Sequence, residues 1–198
     1  MVKVIGITGG IGSGKSTATQ ILKELGAEVI DADQVGHKIY LPDTPAWREI
    51  VAAFGDAVLA ADRTIDRRKL GPLVFADAKA LATLNQITHG KIYAFIQGQL
   101  DYIREKQAAR VVVVEAAILI EAGWQGLAEE LWVVAASEDV VIARLKASKK
   151  FTEEQARARI AAQLSHAERA AQADRIIWNN HGLAELRQAV EAAWQDLR

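Results

Sequence analysis

The sequence predicts an α/β fold built on a parallel sheet. Three observations predict it. Short β-branched runs alternate with helical stretches along the chain. The first run ends in a glycine-rich loop that opens a helix. The unbroken valines of Val111–Val114 have the character of a strand covered on both faces. At 198 residues the chain suits one core with an appended subdomain.

The elements follow in order. Val2–Ile7 reads as a buried strand that ends at Thr8-Gly9-Gly10. Ser16–Leu25 carries Ala18, Ile21, Leu22 and Leu25 at helical spacing and stops at Gly26, a C-terminal cap. Val29-Ile30 is a second strand, ending at Asp31. A mostly helical insertion follows, from about Ala32 to Ala109, expected over the carboxyl ends of the strands. Its helices are Thr44–Phe54, Lys79–Ile87 and Lys91–Lys106, with His89 between the last two. Arg110–Val114, Leu131–Ala135 and Arg175–Trp178 are the third, fourth and fifth strands. Ser137, followed by Glu138 and Asp139, opens a helix with acids in its first turn. Thr152–Gln155 and Ser165–Glu168 fit the capping-box pattern. A last helix runs from about Leu183 to Leu197.

Composition narrows the function. Apolar residues make up 51% of the chain, too many for a disordered polymer. Twenty-four basic against twenty-five acidic side chains argue against broad binding to nucleic acid or anionic membrane. The absence of cysteine excludes disulfides, thiolate ligands and a cysteine nucleophile. Met1–Ile7 is too short for a signal peptide, and the apolar run Val111–Ile120 is interrupted by Glu115. The expectation is a soluble, cytoplasmic protein with no nucleic-acid, membrane or obligate protein partner.

The strongest signal is Gly9-Gly10-Ile11-Gly12-Ser13-Gly14-Lys15-Ser16, a full match to G-x-x-x-x-G-K-[ST] after a strand and before a helix. Glycines let backbone N–H groups converge on phosphate oxygens, and the following helix adds unpaired N–H groups and a positive dipole end. Gly10 through Thr17 are therefore the candidate nucleoside-triphosphate-binding residues, the ATP-binding residues if the nucleotide is ATP. Lys15 reaches the β- and γ-phosphates, Ser16 is the candidate Mg²⁺ ligand, and Thr17 lies near the α-phosphate. The motif alone does not separate a kinase from other nucleotide hydrolases or regulators.

Val29-Ile30-Asp31-Ala32-Asp33 places two carboxylates at the carboxyl end of the second strand. One of the two is expected to serve as base and the other as helix cap or magnesium-shell group. Two solvated helix caps would leave the same pattern. Asp66-Arg67-Arg68-Lys69 is a basic cluster suited to phosphate, or a solvated helix face. Val111–Glu115 resembles a hydrophobic strand ending in an acid, and Glu115 or Glu121 would support Mg²⁺ through water. Arg144, Lys146, Lys149, Lys150, Arg157 and Arg159 form a basic stretch where a mobile lid would close, or an exposed helix–loop–helix with Glu153 paired to Arg157.

The whole pattern resembles the dephospho-CoA kinase family. The resemblance rests on Ile5–Thr17, on Val29–Asp33, on Phe54-Gly55, Ile65–Arg67 and Val74-Phe75, on Ile87 with His89, on Ala116–Trp124, on Arg157–Ile160 with Gln163, and on Ala173-Asp174 through Asn180. It implies a P-loop NTPase-type parallel sheet flanked by helices, with a core at about 1–31 and 110–198, a helical CoA subdomain at about 32–109 and a lid at about 146–165. It implies transfer of the ATP γ-phosphoryl group, with Mg²⁺, to the 3′-hydroxyl of dephospho-CoA. Asp33 would be the general base, Arg67 and His89 would lie on the acceptor side, and Arg159 would contact ATP phosphates from the lid. The alternatives are another small-molecule P-loop kinase and a catalytically weak nucleotide-binding regulator. The chain departs from the family where Asp43 and Arg63 replace common glycines and Ala78 and Gly90 replace common prolines. Gly90 is expected to loosen a turn after His89. Ser148 stands where the family usually carries a lid arginine.

Overall fold

The computed structural model describes residues 2–148 and 151–197. Lys149 and Lys150, expected in the lid, lie outside them. The chain divides into two compact units, Met1–Asp31 with Tyr102–Arg198, and Ala32–Asp101.

The first unit is built on a sheet of β1 (Lys3–Thr8), β2 (Glu28–Asp31), β3 (Val111–Glu115), β4 (Glu130–Ala135) and β5 (Arg175–Trp178), ordered β2-β3-β1-β4-β5 with every pairing parallel. All of β3 is buried, as its valine run predicts for a strand covered on both faces. Helices α1 (Lys15–Glu24) and α9 (Leu183–Gln195) pack on this sheet. Ile21 and Leu22 of α1 and Leu186, Val190 and Trp194 of α9 join Ile5, Ile7, Val113 and Trp132 in one core. The register sets Ile7 beside Glu115, and Glu115 beside Asp31. The phosphate loop therefore starts at the same edge that carries both carboxylates. Helices α6 (Glu138–Ala147) and α7 (Glu153–Ala161) share a small core of Val141, Ile142, Leu145 and Ala156. Short α8 (His166–Ala170) follows. The capping boxes at Thr152–Gln155 and Ser165–Glu168 are both formed. At Ser137 the position is an N-cap, but the side chain makes no cap bond.

The second unit holds α2 (Ala32–Ile39), α3 (Pro45–Phe54) and α4 (Arg67–Ala76). Its core gathers Trp47, Ile50, Val58, Ile65, Leu70 and Val74. Thr44 caps α3 by accepting from the Trp47 N–H at 3.2 Å, and Asp66 caps α4 by accepting from the Arg68 N–H at 2.9 Å. The second strand ends at Asp31, as the sequence predicts, and Asp33 stands in the first turn of α2, where a carboxylate suits the helix dipole. One sequence expectation is corrected here. The helices expected on either side of His89 are one helix, α5 (Ala78–Lys106), so His89 and Gly90 lie inside it and there is no turn to loosen. A single helical glycine costs about 1 kcal/mol. The buried apolar positions Ile92, Ile96, Leu100 and Ile103, spaced for one helix face, outweigh that.

Asp43 and Arg63 both have φ of 65°. These are the left-handed positions at which glycine is the unstrained residue, which accounts physically for the glycines of the resembled family.

Candidate functional site

The phosphate loop is shaped by steric limits at its two motif glycines. A Cβ on Gly9 would lie 2.6 Å from the Val134 carbonyl oxygen and 2.6 Å from Ser13 Oγ. At Gly14, with φ of 96°, it would lie 2.1 Å from Asn179 Nδ2. Neither site admits a side chain. Asn179 is buried and braces the loop, its Nδ2 donating to the Ser13 carbonyl at 2.8 Å. Arg144 braces it as well, with Nη2 donating to Asn179 Oδ1 at 3.0 Å and Nη1 to the Gly12 carbonyl at 3.3 Å. Sequence reasoning assigned Arg144 to the lid stretch and gave Asn179 no role. Both are loop braces, and no spacing in the sequence signals a contact made across 166 residues.

At the carboxyl end of β3, Glu115 is buried and accepts hydrogen bonds on one carboxylate oxygen from Lys15 Nζ and from Ser16 Oγ, the latter at 2.9 Å. The structure thus joins two residues of the phosphate-loop motif to the acid that ends the hydrophobic strand. A hydroxyl and a carboxylate oxygen are hard donors of the kind Mg²⁺ takes, and Mg²⁺ uses few protein ligands beside substrate phosphates. Ser16 and Glu115 fit that ion. Glu121 is instead tied to Arg169, its Oε1 accepting from Nη2 at 3.1 Å. A cavity of about 420 Å³ adjoins the loop, lined by Gly10, Ile11 and Ser13, by the carboxyl end of β4 and by residues 160–169. Thr17 is exposed in the first turn of α1.

The residues of the basic stretch expected to form a lid make surface contacts. Lys146 pairs with Glu153 at 2.9 Å, and Arg157 pairs with Glu138 at 2.7 Å and with Glu153 at 3.1 Å. The expected Glu153–Arg157 pair is therefore present. The Arg159 guanidinium lies 5.9 Å from the Phe151 ring centre. Ser148 ends α6, its Oγ donating to the Leu145 carbonyl at 2.7 Å.

Asp33, Arg67 and His89, the residues expected to face the acceptor, all belong to the second unit. Asp33 is exposed on α2, Arg67 is exposed at the start of α4, and His89 is half-buried on α5. Arg67 Nη1 lies 3.0 Å from His37 Nε2, and its guanidinium lies 5.2 Å from the Tyr40 ring centre. Tyr40 in turn is hydrogen-bonded to Thr88, the neighbour of His89, and burial raises its pKa. Arg67, Tyr40 and Thr88 thus tie α4, α2 and α5 together. Sequence reading missed His37 and Tyr40; His37 lies in the last turn of α2 and Tyr40 directly follows that helix, a proximity in sequence that was the available signal. Burial lowers the pKa of His89, which favours its neutral form.

A glycine-constrained loop between β1 and α1 of a parallel sheet, with its lysine and serine gathered on a strand-end carboxylate, defines a P-loop phosphotransferase architecture. The sequence model of dephospho-CoA kinase matches residues 3–185. The chain belongs to the dephospho-CoA kinase family. It is 43% identical over 195 residues to the dephospho-CoA kinase of Moorella thermoacetica, covering 98% of this chain and 92% of the relative. It is 42% identical over 193 residues to that of Geobacter sulfurreducens, covering 98% of each. The solved structure of dephospho-CoA kinase from Campylobacter jejuni superposes with a TM-score of 0.75 at 30% identity, over 100% of this chain and 98% of the other. A shikimate kinase structure from Bacteroides thetaiotaomicron shares the fold, at a TM-score of 0.55 and 16% identity over 98% of each chain.

Proposed function

We propose that the chain transfers the γ-phosphoryl group of ATP to the 3′-hydroxyl of dephospho-CoA, giving CoA and ADP. The observation that carries this reading is the family match over residues 3–185, joined to a phosphate loop whose lysine and serine converge on Glu115.

Each residue then has a role. Gly10 through Thr17 wrap the phosphates with backbone N–H groups, and Lys15 spans the β- and γ-phosphates. Ser16, with Glu115 behind it, holds Mg²⁺. The ion, when bound, neutralises charge on the phosphate oxygens. Asp33 accepts the proton of the 3′-hydroxyl as its oxygen bonds to the γ-phosphorus and the bond to the β-phosphate oxygen breaks. Arg67 and His89 hold the acceptor, His89 as a neutral donor or acceptor. Arg159 brings lid charge to the transferring group, and Ser148 leaves the lid without the arginine the family usually carries at that position. The reaction takes place in the cytoplasm; no described helix is long and apolar enough to cross a membrane.

The test is ADP formation with Mg²⁺-ATP, with and without dephospho-CoA. Acceptor-dependent ADP supports the reading, and ADP formed equally with simple nucleosides or sugars overturns it.

A further inference from the structure

We infer that Gln163, Arg169 and Glu121 form a clamp that holds the first half of the phosphate loop in shape for the nucleotide. Gln163 and Arg169 are then positioning residues for the phosphates. The inference rests on the kinase reading above.

The argument starts with the backbone N–H of Ile11. Within the loop, the Ser13 N–H turns back to the Gly10 carbonyl at 3.1 Å. The Ile11 N–H is instead taken by Gln163 Oε1 at 2.9 Å, from a residue 152 positions away. Gln163 lies against Gly10 as well: a Cβ there would sit 3.3 Å from Gln163 Oε1 and 3.4 Å from Arg169 Nη1. Both side chains therefore border the space that a side chain at Gly10 would occupy.

Arg169 is 5% exposed. A guanidinium so buried needs partners. Nη1 donates to the Leu164 carbonyl at 2.6 Å, which fixes the backbone next to Gln163. Nη2 donates to Glu121 Oε1 at 3.1 Å, which anchors the arginine to the loop after β3. The chain of contacts runs from Glu121 through Arg169 and Leu164 to Gln163 and Ile11. Arg169 Nε and Ser13 Oγ are both buried without a hydrogen-bond partner among the described residues, and both residues line the cavity beside the loop. They are spare polar atoms next to the site where phosphate oxygens would lie. By contrast, Arg157 is engaged in surface ion pairs and Arg159 stacks on Phe151.

The test uses the full chain and three variants: Gln163→Met, which keeps length but removes the acceptor; Arg169→Lys, which keeps charge but not the fork; and the double variant. Mg²⁺-ATP affinity is measured by calorimetry, beside melting temperature and KM for dephospho-CoA. Each single variant is expected to weaken ATP binding about fivefold, the worth of one hydrogen bond. The double variant is expected to lose little more than either, because the residues act as one unit. KM for dephospho-CoA should stay within twofold. ATP affinity unchanged or tighter in both single variants, additive losses in the double, or an equal rise in KM for dephospho-CoA would each overturn the clamp. Should Arg169→Lys fail to fold, Glu121→Gln replaces it with the same expectation. The calorimetry needs no turnover. A parent chain without acceptor-dependent ADP therefore defeats the kinase reading alone, and the affinities still decide the clamp.

Discussion

Replacing Gly14 by alanine should unmake the phosphate loop from behind. The residue has φ of 96°, where an L side chain costs about 1–2 kcal/mol. Its Cβ would fall 2.1 Å from Asn179 Nδ2, so Asn179 must leave. That breaks the bond to the Ser13 carbonyl and removes the acceptor for Arg144 Nη2. Each lost bond costs about 1 kcal/mol, because Asn179 is buried. The sum is about 3–4 kcal/mol, and at 2–4 °C per kcal/mol for a chain of this size the melting temperature should fall by about 10 °C. Gly10→Ala is the control. Its Cβ meets only the ends of two flexible side chains, at 3.3 and 3.4 Å, so its loss should stay below about 1 kcal/mol. Differential scanning fluorimetry of both variants is the assay. A Gly14→Ala protein melting within 3 °C of the parent, or lower-melting Gly10→Ala, would refute the reasoning.

Other positions give sharper contrasts between binding, chemistry and stability. Asp33→Asn should abolish phosphoryl transfer while leaving ATP affinity within twofold; near-normal turnover would remove Asp33 from the role of base. Gly90→Ala should stabilise the chain by about 0.5–1 kcal/mol, since Gly90 is helical and a Cβ there meets open space. Asp43→Gly should stabilise it by a similar order, about 1 kcal/mol, by relieving a left-handed backbone; chemical denaturation checks both. Burial depresses the His89 pKa, so the unfolded chain takes the proton first as pH falls. Stability from this group is therefore full above the ordinary histidine pKa of about 6.5 and falls as pH drops through and below it. His89→Gln should flatten the melting temperature across that window, and parallel curves for parent and variant would contradict the assignment.

Much of the fold was legible because each signal was local. The β1–loop–α1 passage, the valines of β3 and the two capping boxes each need only neighbouring residues. The helix through His89 was misread because Gly90 looks like punctuation, whereas the buried face from Ile92 to Ile103 decides the matter through tertiary packing. At the site, Lys15 and Ser16 were legible from the motif, and Glu115 from the end of a hydrophobic strand. Their convergence on one oxygen follows only from the parallel register that sets Ile7 beside Glu115. Asn179, Gln163 and Arg144 reach the loop from more than 130 positions away, and nothing in their own neighbourhoods marks them as loop contacts. The end of the second strand at Asp31 was legible, and Asp33, read with Asp31 at that strand end, falls in the first turn of α2.

The measurement that bears most directly on the account is a product assay: Mg²⁺-ATP with the full chain, with and without dephospho-CoA, with ADP quantified and the acceptor weighed by mass spectrometry. The account predicts ADP and CoA in equal amounts, formed only when dephospho-CoA is present. ADP released without the acceptor at the same rate, or a folded, ATP-binding protein that leaves dephospho-CoA unchanged, would contradict it.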